Sequence, residues 1–315
     1  RLKPKCLYDL TVQVAIVRPG PIEGDMVHPY LRRREGAEKV TFPSPASPHP
    51  RDELVHLLGK TFGVPLFQEQ AMKLAITAGG FTAGEANQLR RAMATFRNVG
   101  GMDKFKEKLV GGMVGRGYEA DFAERCFKQI EGFGSYGFPE SHALSFARLV
   151  YVSAWIKCHH PAIFACALLN SQPMGFYAPA QIVRDAHEHG VPVHPVDVNC
   201  SCWDNAVERA PIARRDTQDW RTVQRLTHAL RLGFRQIDSF REDWAQQLVA
   251  ARRTNPFTSI EDLARRAHLP DRALRLLADG DACRSLGQDR REALWEVRRT
   301  PSDELPLFAA ARTRD

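Results

Sequence analysis

The chain has 315 residues, a length that predicts two domains, and a hydrophobic content of 43% supplies a core for each of them. Intrinsic disorder is therefore excluded as the main description of the chain. Lysine and arginine number 44 against 37 aspartate and glutamate residues, and the net charge of +7 favours a polyanionic partner.

Membrane and secretion signals are weak in this sequence. The basic first segment is not followed by an apolar stretch, and no apolar run approaches the roughly 20 residues that cross a bilayer. The seven cysteines are an odd number without framework spacing, which predicts reduced thiols. We therefore expect a soluble, cytoplasmic protein. The chain opens at Arg1, and its first residues are typical of the middle of a fold, so we expect it to be a fragment.

Helical periodicity begins after a proline-rich connector and continues to about Gly190. A proline-rich stretch at residues 41–51 predicts an exposed connector, and residues 52–190 predict about seven helices. One helix begins at Thr82, where Thr82 and Glu85 form a capping box, and continues through Leu89, Met93 and Phe96 as its apolar stripe. Another covers residues 141–157 and is apolar nearly all round, so we expect it to be the buried central helix.

After Gly190 the hydrophobic period changes to two. Residues 191–196 and 198–207 predict short strands, and helices are predicted at residues 243–253, 260–267, 271–278 and 289–299. Ser259 and Asp262 are expected to cap the second of these helices. The fold class predicted is mainly α, with a few short strands between a larger and a smaller helical domain.

Two motifs have the composition of an anion-binding site. Residues 131–142 form a glycine-rich loop that runs into the apolar helix, and a helix start offers free N–H groups to phosphate. The alternative is a turn in which Tyr136 and Phe138 pack. Arg90 lies beside the apolar stripe of its helix and Arg91 is rotated about 100° further, so that the two guanidinium groups can bind a triphosphate from one edge of the helix. The alternative for this pair is an ordinary solvated surface.

A metal site is not expected from the sequence. His187, His189, His194, Cys200 and Cys202 are close in sequence but lack the usual zinc-ligand spacings. In the arginine-rich last third, pairs of short helices joined by tight turns can present N–H groups to DNA phosphates.

Six motifs in order give the chain a specific resemblance. They are IVRPGPI at residues 16–22, MVHPYL at 26–31, GVPLFQEQ at 63–70, LRRAM at 89–93, GSYGFPESHA at 134–143 and WIKCHHP at 155–161. Together they resemble the fingers region of bacterial C-family DNA polymerases, the DNA polymerase III alpha subunit family. The FPESH form and the LPLF near the end are most similar to the error-prone, damage-inducible paralogue of that subunit.

The resemblance implies template-directed DNA synthesis, in translesion repair for the error-prone type. It implies a dNTP substrate, a primer-template partner and Mg²⁺ held by palm-domain aspartates outside this chain, so that the fragment alone is inactive and no catalytic or metal-binding residue is assigned to it. By correspondence with the family, the nucleotide-binding residues are Arg90, Arg91, Tyr136, Gly137, Phe138, Ser141 and His142. The alternatives are a non-catalytic DNA-binding and partner-docking module, or the fingers of a main replicative alpha subunit.

The resemblance also implies four regions. Residues 1–51 are an entry segment and connector, 52–208 the fingers domain, 209–300 a tandem helix-hairpin-helix domain, and 301–315 a linker. The expected DNA-binding residues of the third region are Arg235, Ser239, Arg241, Arg252, Arg253 and Arg284.

The chain departs from the family pattern at both hairpins and in the linker. Ser239 and Arg241 stand where glycines are usual in the first hairpin, and Asp281 replaces a glycine in the second, which predicts weaker or arginine-mediated DNA binding. In the linker, the resemblance implies a peptide that binds the sliding clamp, with the residues Glu304, Leu305, Leu307 and Phe308. The alternative is an extended linker whose Leu307 and Phe308 dock on this chain itself. The clamp and accessory mutagenesis proteins are the further partners that the resemblance suggests.

Overall fold

The computed structural model describes residues 2–17, 27–95, 103–131, 138–209 and 228–299, and the chain divides into two compact units, Arg1–Val152 and Ser153–Asp315. Each unit has its own hydrophobic core. The predicted fold class, mainly α with short strands, is confirmed.

The regular secondary structure in the described part of the first unit is helical, with turns and irregular chain between the helices. Its helices are α1 (Leu7–Ile16), α2 (Val27–Arg34), α3 (Glu53–Leu58), α4 (Gln68–Thr77), α5 (Ala83–Thr95), α6 (Asp103–Gly115), α7 (Ala120–Glu131) and the first part of α8 (Glu140–His159). Helix α7 is an example of an amphipathic helix that packs one apolar face on the core. Its buried residues recur at spacings of three and four, and they are Ala123, Cys126, Phe127 and Ile130.

The predicted capping box of α5 is confirmed. The Thr82 N–H donates to the Glu85 carboxylate at 2.9 Å, and the Glu85 N–H donates to the Thr82 hydroxyl at 3.3 Å. Leu89 and Met93 are buried as the apolar stripe requires, while Phe96 lies outside the described residues.

Helix α8 matches its predicted bounds, but the prediction that it is buried is wrong. Its buried residues are Ala143 and Ala147, one helical turn apart, so a narrow stripe of small side chains faces the core. Most of the large apolar side chains around that stripe are exposed, with Leu149 at 61% and Trp155 at 46%.

The second unit combines helices with a small sheet. The helices are α9 (Pro161–Asn170), α10 (Pro179–Glu188), α11 (Glu242–Ala251), α12 (Ile260–Ala267), α13 (Asp271–Asp279) and α14 (Arg290–Arg299). The strands are β1 (Val193–His194), β2 (Ala206–Arg209) and β3 (His228–Arg231), in the order β1, β3, β2. Strand β3 is parallel to β1 and antiparallel to β2, with Val207 opposite Leu230.

The strand predictions are only partly confirmed. β1 lies within the first predicted stretch, whereas residues 198–205 of the second form turns and irregular chain before β2 begins at Ala206. The predicted boundary between residues 208 and 209 falls inside β2, and the four-region division stays a prediction.

The cap of α12 is confirmed, because the Asp262 N–H donates to the Ser259 hydroxyl at 3.0 Å. No helix in the described ranges has both the length and the apolarity to span a membrane.

Candidate nucleotide and DNA interfaces

Arg90 and Arg91 lie on a helix that is fixed by its buried stripe. Leu89 and Met93 anchor α5 in the core, which leaves Arg90 half-buried beside the stripe and Arg91 exposed. The Arg90 guanidinium donates through Nε and Nη2 to the Asn87 side-chain oxygen, at 3.0 and 2.9 Å. Asn87 is uncharged, so this contact orients the guanidinium and leaves its positive charge uncompensated by that partner.

The start of α8 rests on the same core. Phe138 is buried at 9% exposure, and its carbonyl accepts the Gln68 N–H at 3.1 Å, which fixes the entry into α8 against the start of α4. Its ring contacts His142 at 5.1 Å between centroids, and His142 contacts Phe146 at 4.7 Å. Ser141 and His142, two of the predicted nucleotide-binding residues, are exposed. Tyr136 and Gly137 lie outside the described residues.

Three residues at this helix start were not predicted from the sequence. The Glu140 N–H donates to the Glu69 carboxylate at 3.0 Å, and the Tyr8 hydroxyl donates to the Glu140 carboxylate at 3.0 Å. Burial and the Glu140 carboxylate raise the pKa of Tyr8, so its hydroxyl stays protonated as a donor. The anion at this helix N-terminus is therefore a carboxylate of the protein itself, and a phosphate there would use other N–H groups or side chains.

Metal binding finds no support among the residues that the structure describes. His194 bonds to the Glu208 carboxylate at 2.8 Å, and His189 contacts the carbonyl of Asp185 at 2.7 Å. Cys200 and Cys202 lie in the irregular chain before β2 and are exposed. Within the described ranges no three His, Cys, Asp or Glu side chains are grouped closely enough to hold an ion, so these residues supply no ligand set for Mg²⁺.

The first hairpin leads through Ser239 into α11. Ser239 is exposed with φ +60°, a left-handed conformation that favours glycine. Phe240 is buried between Phe234 and Trp244, at centroid distances of 5.6 and 5.5 Å, and keeps the turn in place. Arg241 donates to the Asp243 carboxylate at 2.9 and 2.6 Å, so this predicted phosphate contact already has an anionic partner.

The second hairpin leads out of α13 through Asp281. Asp281 has φ +55°, and the Nε of Arg284 donates to its carboxylate at 2.9 Å. This hydrogen bond raises the pKa of Arg284. Within the described part of the chain, Asp281 Oδ1 is buried without a hydrogen-bond partner. The acid thus places a negative charge in the turn and compensates the arginine that the sequence predicts to bind DNA.

The remaining predicted arginines have different environments. Arg235 donates to the Asp204 carboxylate at 2.6 Å and to the Asn170 carbonyl at 3.0 Å, and Arg252 donates to the Val198 carbonyl at 2.7 Å. Both side chains therefore stabilise the fold of the second unit. Arg253 is exposed and lines a cavity of about 330 Å³ together with Trp203. The predicted clamp residues Glu304, Leu305, Leu307 and Phe308 lie outside the described residues.

Two parts of the chain match known families. Residues 1–117 match the bacterial DNA polymerase III alpha subunit finger domain, and residues 190–293 match the helix-hairpin-helix motif. The predicted resemblance to the bacterial DNA polymerase III alpha subunit family is therefore confirmed, with a finger-domain match followed along the chain by a helix-hairpin-helix match.

The individual relatives that match the chain include error-prone DNA polymerases. The chain is 59% identical to an error-prone DNA polymerase of Rhodopseudomonas palustris strain HaA2, with 100% of the chain and 28% of that protein aligned. It is 62% identical to an error-prone DNA polymerase of Brucella abortus biovar 1, with 99% of the chain and 28% of that protein aligned. The chain thus spans somewhat more than a quarter of the length of these relatives.

Proposed function

We propose that this chain is the nucleotide- and DNA-binding segment of an error-prone DNA polymerase that acts in translesion synthesis during DNA repair. The observation that carries the proposal is the identity of about 60% along the whole chain with error-prone DNA polymerases. The parent protein is a nucleotidyltransferase that adds dNTPs to a primer 3′ end. Its metal-binding carboxylates lie outside this chain, so the chain alone is predicted to be inactive.

In this proposal α5 carries the contacts to the incoming nucleotide. The buried stripe holds the helix rigidly, and the bond to Asn87 orients the Arg90 guanidinium. A positioned cation stabilises the reaction most where negative charge grows, which is on the pyrophosphate as the bond to the α-phosphate breaks. In the same proposal His142 and Ser141 also contact the nucleotide, and their exposure at the start of α8 supports this role.

The test uses the full-length parent with Arg90→Ala and Arg91→Ala combined. Single-turnover incorporation of a correct dNTP on primed DNA should lose about 2 to 4 kcal/mol of transition-state stabilisation, seen in kcat/KM. Arg125→Ala, which removes an exposed arginine from α7 of the same unit, is the matched control and should leave the rate near that of the wild type. An unchanged rate in the double variant would remove both arginines from the site.

A further inference from the structure

Helix α14 presents an arginine and tryptophan face to solvent. Ala293 and Val297 are its buried residues and fix which side of the helix faces the core. Arg291, Leu294, Trp295 and Arg298 line a shallow concavity of about 390 Å³ together with Arg290. Leu294 is partly buried against the core, whereas Trp295 and the arginines are exposed. These four residues, here called the α14 face, fall within roughly 100° of the helix circumference.

The side chains of the α14 face differ from an ordinary solvated surface. Trp295 is 58% exposed, although a tryptophan ring is among the costliest side chains to leave in water. The guanidinium carbon of Arg298 lies 5.9 Å from the centre of that ring. Arg290 pairs with Asp279 at 3.2 Å, and no acidic side chain is among the described residues that line the concavity.

The chemistry of the α14 face selects its occupant. Arg291 and Arg298 are seven residues apart, which places them about 10 Å apart along the helix axis, with Trp295 between them. A flat apolar ring between two cations is complementary to a polyanion that carries exposed aromatic groups, and single-stranded nucleic acid has this composition. In a duplex the base faces are covered by stacking, so a duplex offers phosphates to the arginines and no partner to the ring.

We propose that the α14 face binds single-stranded DNA, with a base stacked on Trp295 and the neighbouring phosphates paired with Arg291 and Arg298. The proposal rests on the proposed function for the choice of DNA as the nucleic acid. It adds a contact for the unpaired template that is separate from the two hairpins, and it assigns to α14 residues that the sequence did not single out.

The test measures fluorescence anisotropy of a labelled oligothymidylate of about 15 nucleotides, a length within the span that single-strand sites commonly cover, with the whole 315-residue chain. Trp295→Ala should weaken binding roughly tenfold, while Trp295→Phe should retain most of it because a stacking ring remains. The double variant Arg291→Ala with Arg298→Ala should weaken binding. It should also reduce the magnitude of the slope of log K against log salt concentration by about 1.4, because two phosphate contacts are lost.

A matched control removes the same charge elsewhere. Arg184→Ala with Arg265→Ala deletes two exposed arginines of α10 and α12, at 74% and 66% side-chain exposure, and should leave binding of the oligothymidylate nearly unchanged. All variants are compared by circular dichroism, since the substituted side chains are exposed and the fold should be retained.

A blunt duplex, which has no single-stranded overhang, is measured in parallel and separates this inference from the proposed function. If the wild type binds the blunt duplex, and the α14 variants bind oligothymidylate as the wild type does, the inference fails and the proposed function stands. If the wild type binds oligothymidylate through the α14 face and does not bind the blunt duplex, the DNA role proposed for the hairpins fails and this inference stands. Absence of oligothymidylate binding by the wild type would also overturn the inference.

Discussion

Asp281 has both an unfavourable backbone conformation and an unfavourable charge for binding DNA. Its left-handed φ of +55° suits glycine or asparagine better than aspartate, and its carboxylate adds negative charge to a hairpin that is proposed to bind DNA phosphate. Asn tolerates this conformation and is uncharged. We therefore expect Asp281→Asn to raise the affinity of the chain for primed duplex DNA about three- to fivefold, or roughly 0.5 to 1 kcal/mol, in an anisotropy titration.

The control for Asp281 is Asp279, the last residue of the preceding helix α13. Asp279→Asn removes an identical charge two residues away, at the exposed end of α13, where it pairs with Arg290. Its effect on duplex affinity should be smaller than that of Asp281→Asn. Equal gains from both variants would mean that the net charge of the chain, rather than the hairpin turn, limits binding.

Glu85 gives the first unit a pH dependence with a defined sign. The Lys108 ammonium, followed by the Thr82 N–H and hydroxyl, lowers the pKa of Glu85 from 4.5 to about 2. Because the folded pKa is depressed, the stabilisation is complete above pH 4.5 and is lost as the pH falls toward 2. We expect Glu85→Gln to reduce the acid sensitivity of unfolding by urea within this window.

The comparison for Glu85 is another carboxylate of the same region. Glu107→Gln removes an exposed acid from α6 and should leave the difference in unfolding free energy between pH 5 and about pH 3 close to that of the wild type. The hypothesis is contradicted if both variants, or neither, flatten the pH profile.

At the scale of elements, α6 carries two adjacent glycines with opposite roles. A Cβ on Gly112 would lie 2.1 Å from the carbonyl oxygen of Gly79, so this glycine lets α6 approach the turn between α4 and α5. A Cβ on Gly111 would meet nothing within 4 Å. Both residues lie within the helix, so replacing either of them by alanine gives the same gain in intrinsic helix propensity.

Alanine substitutions at these two neighbouring glycines should change the free energy of unfolding in opposite directions. Gly111→Ala should stabilise the chain by about 0.5 to 1 kcal/mol, since alanine loses less backbone entropy in a helix. Gly112→Ala should destabilise it by about 1 to 3 kcal/mol, because the turn at Gly79 must move. Urea unfolding measures both, and stabilisation by Gly112→Ala would show that α6 does not approach the turn as described.

How far the sequence predicts an element depends on the range of the forces that determine it. The caps at Thr82 and Ser259 act over three residues, so their side-chain types alone located two helix starts. The burial of α8 depends on what packs against it, and its apolar composition does not identify the face that meets the core. The small residues Ala143 and Ala147 were the available signal, because close helix packing favours them.

The candidate site was predictable for the same local reasons. The buried stripe of Leu89 and Met93 determines where Arg90 and Arg91 lie on the helix, and both stripe residues are buried in the structure. The Glu69 contact to the start of α8 joins residues 71 positions apart, and the compensation of Arg235 by Asp204 spans 31 positions. Pairings at such separations are set by the tertiary fold, and no spacing in the sequence reports them.

For the molecule as a whole, the distribution of positive charge matters more than its sum. The net charge is +7, yet Arg235, Arg241 and Arg284 have anionic partners within the chain. Binding of a polyanion therefore depends on arginines whose charge is not already compensated, and on contacts from backbone and aromatic groups. In the proposed polymerase the compensated arginines leave DNA binding by the hairpins weak.

The most direct test of the central claim is a structure of the full-length parent with primed DNA and an incoming dNTP. The account predicts that oxygens of the triphosphate lie within about 3 Å of the guanidinium nitrogens of Arg90 or Arg91. It also predicts that His142 and Ser141 face the same nucleotide. A triphosphate bound away from both arginines and from the start of α8 would contradict the account.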